Sequence, residues 1–480
     1  MKKRSLWLSA AGALGIAVAL AGCGSTTYFA GRQLPPSGLP YRVMIAIQNP
    51  GALTKGALQI VDAQYDTRFK YNNINVTYSI SGFAGALPIS IQNMPEEQVG
   101  GVYGSGDGSY SLVNYAKETS VGAKGISGLY SSIYLTRNEN YLIAASQANH
   151  VVTVASPTSG SSISFGLPGV YAVSVNPGGT VALAFVQNSN YIYYLRQLTA
   201  AQSIAYSGGS STWPRAAQDC EPQNAPSWCL FQAQSPDSVD STGNAYGAPL
   251  SFDRPVKAVF SSDGGTAYIL NCGPECGGTA ASVSLLPTAP MIFTSGQQSG
   301  SLPTTGNITT IPVPGGASNA LVSSSTMYVV GQQLLNDGLF TGNLTVLNLN
   351  NNTVSHTASI SDGTPGGPSR LILADDNTLW IAMTKCNNGE RYAQGEPYGC
   401  LTMYNTSSNT VTMLEPYLGD ATGIAAVATL HKVYVAQGGQ VYIYSTTDGS
   451  AINNQYVTVT GTAWDVAFMD ATTDANNTVY

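Results

Sequence analysis

From Tyr41 onward the chain repeats one pattern. Short runs of apolar residues alternate with tight turns rich in Gly, Asn and Asp. The same turn-then-strand unit recurs along the chain. Asn176-Pro177-Gly178-Gly179-Thr180 precedes Val181-Ala182-Leu183-Ala184, and Asp263-Gly264-Gly265-Thr266 precedes Ala267-Tyr268-Ile269-Leu270. Asp375-Asp376-Asn377-Thr378 leads into Leu379-Trp380-Ile381-Ala382, and Thr429-Leu430-His431-Lys432 into Val433-Tyr434-Val435-Ala436. Gly and Asn at such turns supply the positive φ that tight hairpins need. A second recurring unit is Leu344-Thr345-Val346-Leu347-Asn348-Leu349, followed by an Asn-rich turn and Thr353-Val354. Leu401-Thr402-Met403-Tyr404-Asn405 through Thr410-Val411 has the same form, as does Val441-Tyr442-Ile443-Tyr444-Ser445 through Ser450. These strands are apolar on both faces: Val441 and Ile443 point one way, Tyr442 and Tyr444 the other. A strand in a two-layer sandwich would turn a polar face to water; a strand between stacked sheets would not.

Four strands per roughly 40–50 residues is the spacing of a β-propeller. The expected fold is therefore all-β, a single propeller of four-stranded blades over residues 41–480, with eight blades and seven as the alternative if one irregular segment is an excursion. Seven blades begin near residues 83, 129, 170, 253, 317, 368 and 421. Residues 41–82 hold only three strands, near Arg42–Gln48, Ala57–Gln64 and Val76–Ser81, and Ala463–Phe468 reads as an unpaired strand at the other end. Joining the two ends completes an eighth blade and removes exposed sheet edges. The third-strand units resemble the repeats of YVTN-type β-propellers, a likeness that covers most of residues 41–480. Some propellers of this repeat type are lactonases and others bind pyrroloquinoline quinone. The resemblance thus implies, as the alternative to binding, a hydrolase working in the central channel.

The irregular stretch at about 205–250 interrupts the repeat. It holds Trp213, Cys220, Trp228, Cys229 and Phe231 in a Ser, Gly, Pro and Gln background. Long structured insertions on one face of a ring often carry function. Trp213, Trp228 and Phe231 are accordingly the candidate partner-binding residues, against the plainer reading of a stapled decorative loop.

The N-terminus adds a location. Lys2-Lys3-Arg4 precedes the apolar run Leu6–Leu20, which closes on Leu20-Ala21-Gly22-Cys23. About 15 apolar residues fall short of the ~20 that span a bilayer as a helix. The segment resembles a bacterial lipoprotein signal over residues 1–22. That resemblance implies lipid on Cys23 and an extracytoplasmic, membrane-anchored protein, with Gly24 favouring an outer membrane where one exists. Residues 23–40 then form a lipidated tether stiffened by Pro35-Pro36.

Composition narrows the function classes. Charged residues are only 9% of the chain, whereas Gly (52) and Tyr (28) are abundant, so surface helices are disfavoured and strands favoured. Losing residues 1–22 removes three bases and no acid, taking the net charge from −7 to −10. No basic cluster follows residue 4, which argues against nucleic-acid binding. Beyond Cys23, six cysteines fall into local pairs: Cys220 with Cys229, Cys272 with Cys276, and Cys386 with Cys400. An even count outside the cytoplasm points to disulfides, with local pairing the expected one of the possible connectivities.

Catalytic signals are sparse. His150, His356 and His431 share no metal-ligand spacing and read as solvated surface residues. There is no G-x-S-x-G elbow. Asp470, Thr472, Asp474 and Asn476 form an odd-spaced oxygen series that could suit calcium, but it lacks the central Gly and closing Glu of an EF-hand and reads as a polar turn. Asp375-Asp376-Asn377 reads as a turn as well. No catalytic residue, metal site or cofactor is therefore expected. The expected role is that of a monomeric binding or scaffold module for an envelope protein or glycan.

Overall fold

The computed structural model describes residues 35–474, apart from 123–125, 127, 138, 158, 160, 208, 222–226, 362, 387–400, 415–417 and 453–455. The signal-like segment and Cys23 lie outside the described residues.

Eight antiparallel sheets, not seven, stand around a central axis as the blades of a propeller. In blades 2, 3 and 5 to 8 the chain starts on the axis and meanders outward, because tight turns leave sequential strands no other neighbour. Blade 1 is assembled from both chain ends. Thr462–Phe468 is its innermost strand and pairs with Arg42–Gln48, so Val43 faces Phe468 and Gln48 faces Thr462. Gly56–Asp62 and Asn73–Ser79 complete it. The ring closure expected from the unpaired strand at Ala463–Phe468 is thus observed. The inner strands of blades 2 to 8 are Pro88–Met94, Ser132–Leu135, Val170–Val175, Pro255–Phe260, Asn319–Ser323, Gly367–Ala374 and Ala421–Val427. Blade 8 has three full strands, and a bridge from Val441 to Val457 covers its outer edge.

The core lies between blades. Strands buried on both faces pack against neighbours on each side; Met44 and Ile45, on opposite faces of one strand, are both fully buried. Trp380, fully buried, packs in the cluster shared by blades 7 and 8 with Val433, Val435 and Tyr444.

The 205–250 stretch differs from its expectation as a surface insertion. Trp228–Gln232 is the fourth strand of blade 4, paired with Ile192–Gln197, and Ala217–Cys220 adds a fifth. The chain between third and fourth strands holds a six-residue helix, Ala200–Ala205. Thr199 caps it: its Oγ1 accepts the Gln202 N–H at 3.2 Å while Gln202 Oε1 accepts the Thr199 N–H at 3.0 Å. Among the described residues no helix is long and apolar enough to cross a membrane.

The expected tether is also shorter than its bounds. From Pro35 the chain already packs: Ser37 donates through Oγ to Glu118 Oε1 at 2.6 Å, and Leu39 is buried. Glu118 in turn meets the buried Arg42, whose guanidinium also grips Asp470 (Nη2 to Oδ1, 2.6 Å).

Candidate functional site

Each inner strand has a neighbour on one side only, so its other edge presents unpaired backbone groups to the channel. Polar side chains from adjacent blades satisfy these groups and tie the ring together. Ile91 N–H of blade 2 donates to Asp465 Oδ2 of blade 1 at 2.7 Å. Gln92 exchanges two bonds with the backbone of Leu135 in blade 3, at 2.7 and 2.8 Å. Ser132 Oγ bonds the Val173 backbone of blade 4, and Ser174 Oγ accepts the Ala258 N–H of blade 5 at 3.1 Å. Lys257 Nζ donates to Asn319 Oδ1 of blade 6 at 3.1 Å, and Asn319 Nδ2 donates to the Ser369 carbonyl of blade 7 at 2.8 Å. Arg370 Nη2 of blade 7 then reaches Asp465 Oδ2 at 2.6 Å.

Three of these residues are ionisable in a chain with few charges: Lys257, Arg370 and Asp465. Burial raises the Asp465 carboxyl above its ordinary range, and the Arg370 charge acts against that rise. Lys257 has a different balance. Burial brings its amine down to about 7, and the neighbouring Arg370 charge pushes the same way. Part of Lys257 nevertheless remains open to the channel.

Lys257 lines a cavity of about 410 Å³ at one end of the channel, walled by blades 2 to 6. Its polar wall includes Gln92, Tyr134 and Asn176, and its apolar wall Leu135, Val173 and Leu321. A second cavity of about 180 Å³ lies against blades 7, 8, 1 and 2. The segment after the last strand separates them, since Thr473 and Asp474 line both. This segment is pinned at the rim. Arg137 Nη2 pairs with Asp474 Oδ2 at 2.8 Å and with Glu96, and the Glu96 N–H donates to Asp474 Oδ1 at 3.0 Å. The oxygen series expected as a turn is therefore a bar across the channel mouth. Asp470 and Asp474 are held by Arg42 and Arg137, and Asn476 lies outside the described residues.

Two of the three aromatic residues singled out in the sequence are interior. Phe231 is 0% and Trp228 8% exposed. Trp228 packs its ring on Tyr141 and Phe293, with centroids 5.8 and 5.6 Å away. Trp213 is partly buried against the blade 4–5 core. Trp228 and Phe231 belong to a strand buried on both faces, which is why both turn inward. Cys220–Cys229 and Cys272–Cys276 are disulfides as expected. Cys386 is disulfide-bonded too, while Cys400 lies outside the described residues.

Sequence reasoning missed Lys257, Asn319, Arg370 and Asp465. Their signal is a lone polar or charged residue inside an apolar inner strand, as in Val256-Lys257-Ala258-Val259 and Ser369-Arg370-Leu371-Ile372. It also missed a second convergence. Asp375 and Asp376, in the turn after the inner strand of blade 7, meet His431 from the corresponding turn of blade 8. No His lines either cavity among the described residues.

Blade count, ring closure and channel define the class: an eight-bladed β-propeller. No family model matches the chain, and no curated protein matches it. Solved structures with a similar fold include dihydro-heme d1 dehydrogenase NirN in complex with DHE. It is 10% identical, with a TM-score of 0.52 over 89% of this chain and 78% of that one. Apo AztD from Citrobacter koseri is 10% identical, with a TM-score of 0.48 over 89% and 97% of the two chains. The Pseudomonas aeruginosa periplasmic gluconolactonase PpgL is 14% identical, with a TM-score of 0.40 over 89% and 98%. At these identities the likeness is one of fold alone.

Proposed function

We propose that this protein is an extracytoplasmic binding protein, anchored through lipid on Cys23, whose channel holds a small molecule bearing a carboxylate or similar oxyanion. The supporting observation is Lys257 in the wall of the 410 Å³ cavity. That volume is in the range of small-ligand sites, roughly 300–1,000 Å³. An amine with its ordinary value brought down to about 7 regains its charge when an anion settles beside it. Apolar walls at Leu135, Val173 and Leu321 would cover the rest of the ligand. The surface-docking reading, with an envelope protein or glycan as partner, loses two of the three aromatic residues that motivated it, because Trp228 and Phe231 are interior.

The test is a thermal-shift screen of sugar acids, amino acids and other small carboxylates, with calorimetric titration of any hit. A saturable ligand whose affinity falls at least about tenfold in Lys257→Met supports the reading. Absence of any ligand, together with one envelope protein crosslinked in cells to the intact chain, would overturn it.

A second reading has one observation in its favour. An amine that deprotonates near neutrality is suited to take a proton from an attacking water. If the channel is hydrolytic, lactone cleavage is measurable in the wild-type protein and lost in Lys257→Met. Arg370 and Asp465 do not extend this reading, because they are engaged with each other.

A further inference from the structure

The turns of blades 7 and 8 that lie on the channel-mouth face bring three ligand-type side chains to one point. Asp375 and Asp376 follow the strand Gly367–Ala374, and His431 precedes Lys432–Gln437. One donor atom from each lies within 4.8 Å of the others. His431 Nδ1 stands 2.5 Å from Asp375 Oδ2 and 3.0 Å from Asp376 Oδ2. Both Asp375 oxygens are shielded from water, with the His431 imidazole against Oδ2 and the Thr446 side chain as a further donor to the carboxylate. A carboxylate shielded from water carries its charge at a cost that a cation beside it offsets. Asp376 is fixed from the other side: Thr446 and Thr447 hydroxyls donate to its Oδ2 at 2.7 and 3.1 Å. Thr446 N–H also bonds the His431 carbonyl at 3.1 Å, which orders the turn that presents the imidazole.

Charge counting points the same way. Two carboxylates face one imidazole, and no Lys or Arg ion pair reaches either carboxylate among the described residues. Even with His431 protonated, one negative charge is left over; a dication beside a neutral imidazole leaves none. The donor set selects the kind of ion. An imidazole with two carboxylates suits zinc and its first-row neighbours, whereas calcium and magnesium prefer oxygen alone. His431 is exposed, so an ion can enter from solvent and keep an open position for water.

We propose that Asp375, Asp376 and His431 form a binding site for a divalent transition metal, zinc being the reference ion, that staples blades 7 and 8 at the channel mouth. This site is independent of the ligand reading for the channel.

The test uses the tag-free, metal-free full chain titrated with ZnCl₂ by calorimetry. The variants are His431→Asn and Asp376→Asn, both of which tolerate the left-handed backbone found there (φ +53° and +57°). One zinc per chain is expected, with affinity reduced at least about tenfold in each variant and circular dichroism unchanged. Cobalt in place of zinc should show visible bands that His431→Asn alters. No saturable zinc binding, unchanged binding in the double variant, or a preference for calcium over zinc would each overturn the assignment.

Discussion

Arg370, on the inner strand of blade 7, reaches past blade 8 to Asp465, in the strand that closes the ring, with Nη2 2.6 Å from Oδ2. Both side chains are almost fully buried. A closed ring is only as firm as its closing blade, and this ion pair joins that blade to one two places away. Breaking a buried pair leaves an uncompensated charge and costs about 3–5 kcal/mol. Arg370→Met and Asp465→Asn should each destabilise on that scale. The double variant should lose clearly less than the sum, by about 0.5–3 kcal/mol in a denaturant-based cycle. Strict additivity would show that the pair is not coupled.

Blade 8 makes room for this contact at Gly423. A Cβ there would lie 2.4 Å from Asp465 Oδ1 and 2.6 Å from its Cα, closer than any packed pair of atoms. Gly423→Ala should therefore cost about 1–3 kcal/mol, as overpacking does. Gly122→Ala, where a Cβ meets nothing within 4 Å among the described residues, is the matched control. Equal melting temperatures for the two variants would show that the inner strands yield freely.

Two buried groups set opposite pH dependences. Glu275, between Cys272 and Cys276, accepts the Gln332 N–H at 2.9 Å, and burial pushes its carboxyl up to about 7 from 4.5. Between those values the folded state holds more protons than the unfolded, so stability falls as pH rises. Lys257 is the reverse: folded, it loses its proton near 7, whereas the unfolded chain keeps it to about 10.5. Across that interval the unfolded state holds more protons, so stability rises with pH. Urea midpoints across pH should show the acid-side decline vanish in Glu275→Gln and the alkaline-side gain vanish in Lys257→Met. Unchanged slopes in both variants would count against these environments.

Trp228 should matter for folding more than for contact. Its ring fills a site shared with Tyr141 and Phe293, and a large-to-small change there costs about 3–5 kcal/mol. Trp228→Ala is expected to lower the thermal midpoint and leave the affinity of any channel ligand unaltered. A stable Trp228→Ala protein that loses a partner would return this residue to the surface role its sequence suggested.

Cys220 and Cys229 lie directly opposite each other in the fourth and fifth strands of blade 4, nine residues apart in sequence. Closing so short a loop is worth about 2–3 kcal/mol. The Cys220→Ala/Cys229→Ala protein should lose that amount in denaturant melts and retain seven intact blades' worth of strand signal by circular dichroism. A collapse of the whole ring would mean that the outer strands of blade 4 hold its neighbours.

The sequence by itself determined what is local. Alternating apolar runs, turn residues at fixed offsets and paired nearby cysteines each act within about a dozen residues, so strands, hairpins, blade spacing and two disulfides were legible. The unpaired strand at Ala463–Phe468 even revealed the closure, because a lone apolar strand needs a partner. Even the Thr199–Gln202 cap of the short helix is a local signal, though too brief for periodicity to reveal. What only the tertiary structure decided is which side chains meet. Lys257, Asn319, Arg370 and Asp465 come from four blades, and Asp375 and His431 from two turns more than fifty residues apart. Trp228 and Phe231 looked like surface anchors until their segment became the fourth strand of a five-stranded blade. Each of these outcomes depends on how sheets stack around an axis. Stacking is driven by apolar area, which is non-directional and leaves no signature in the spacing of the polar residues it brings together.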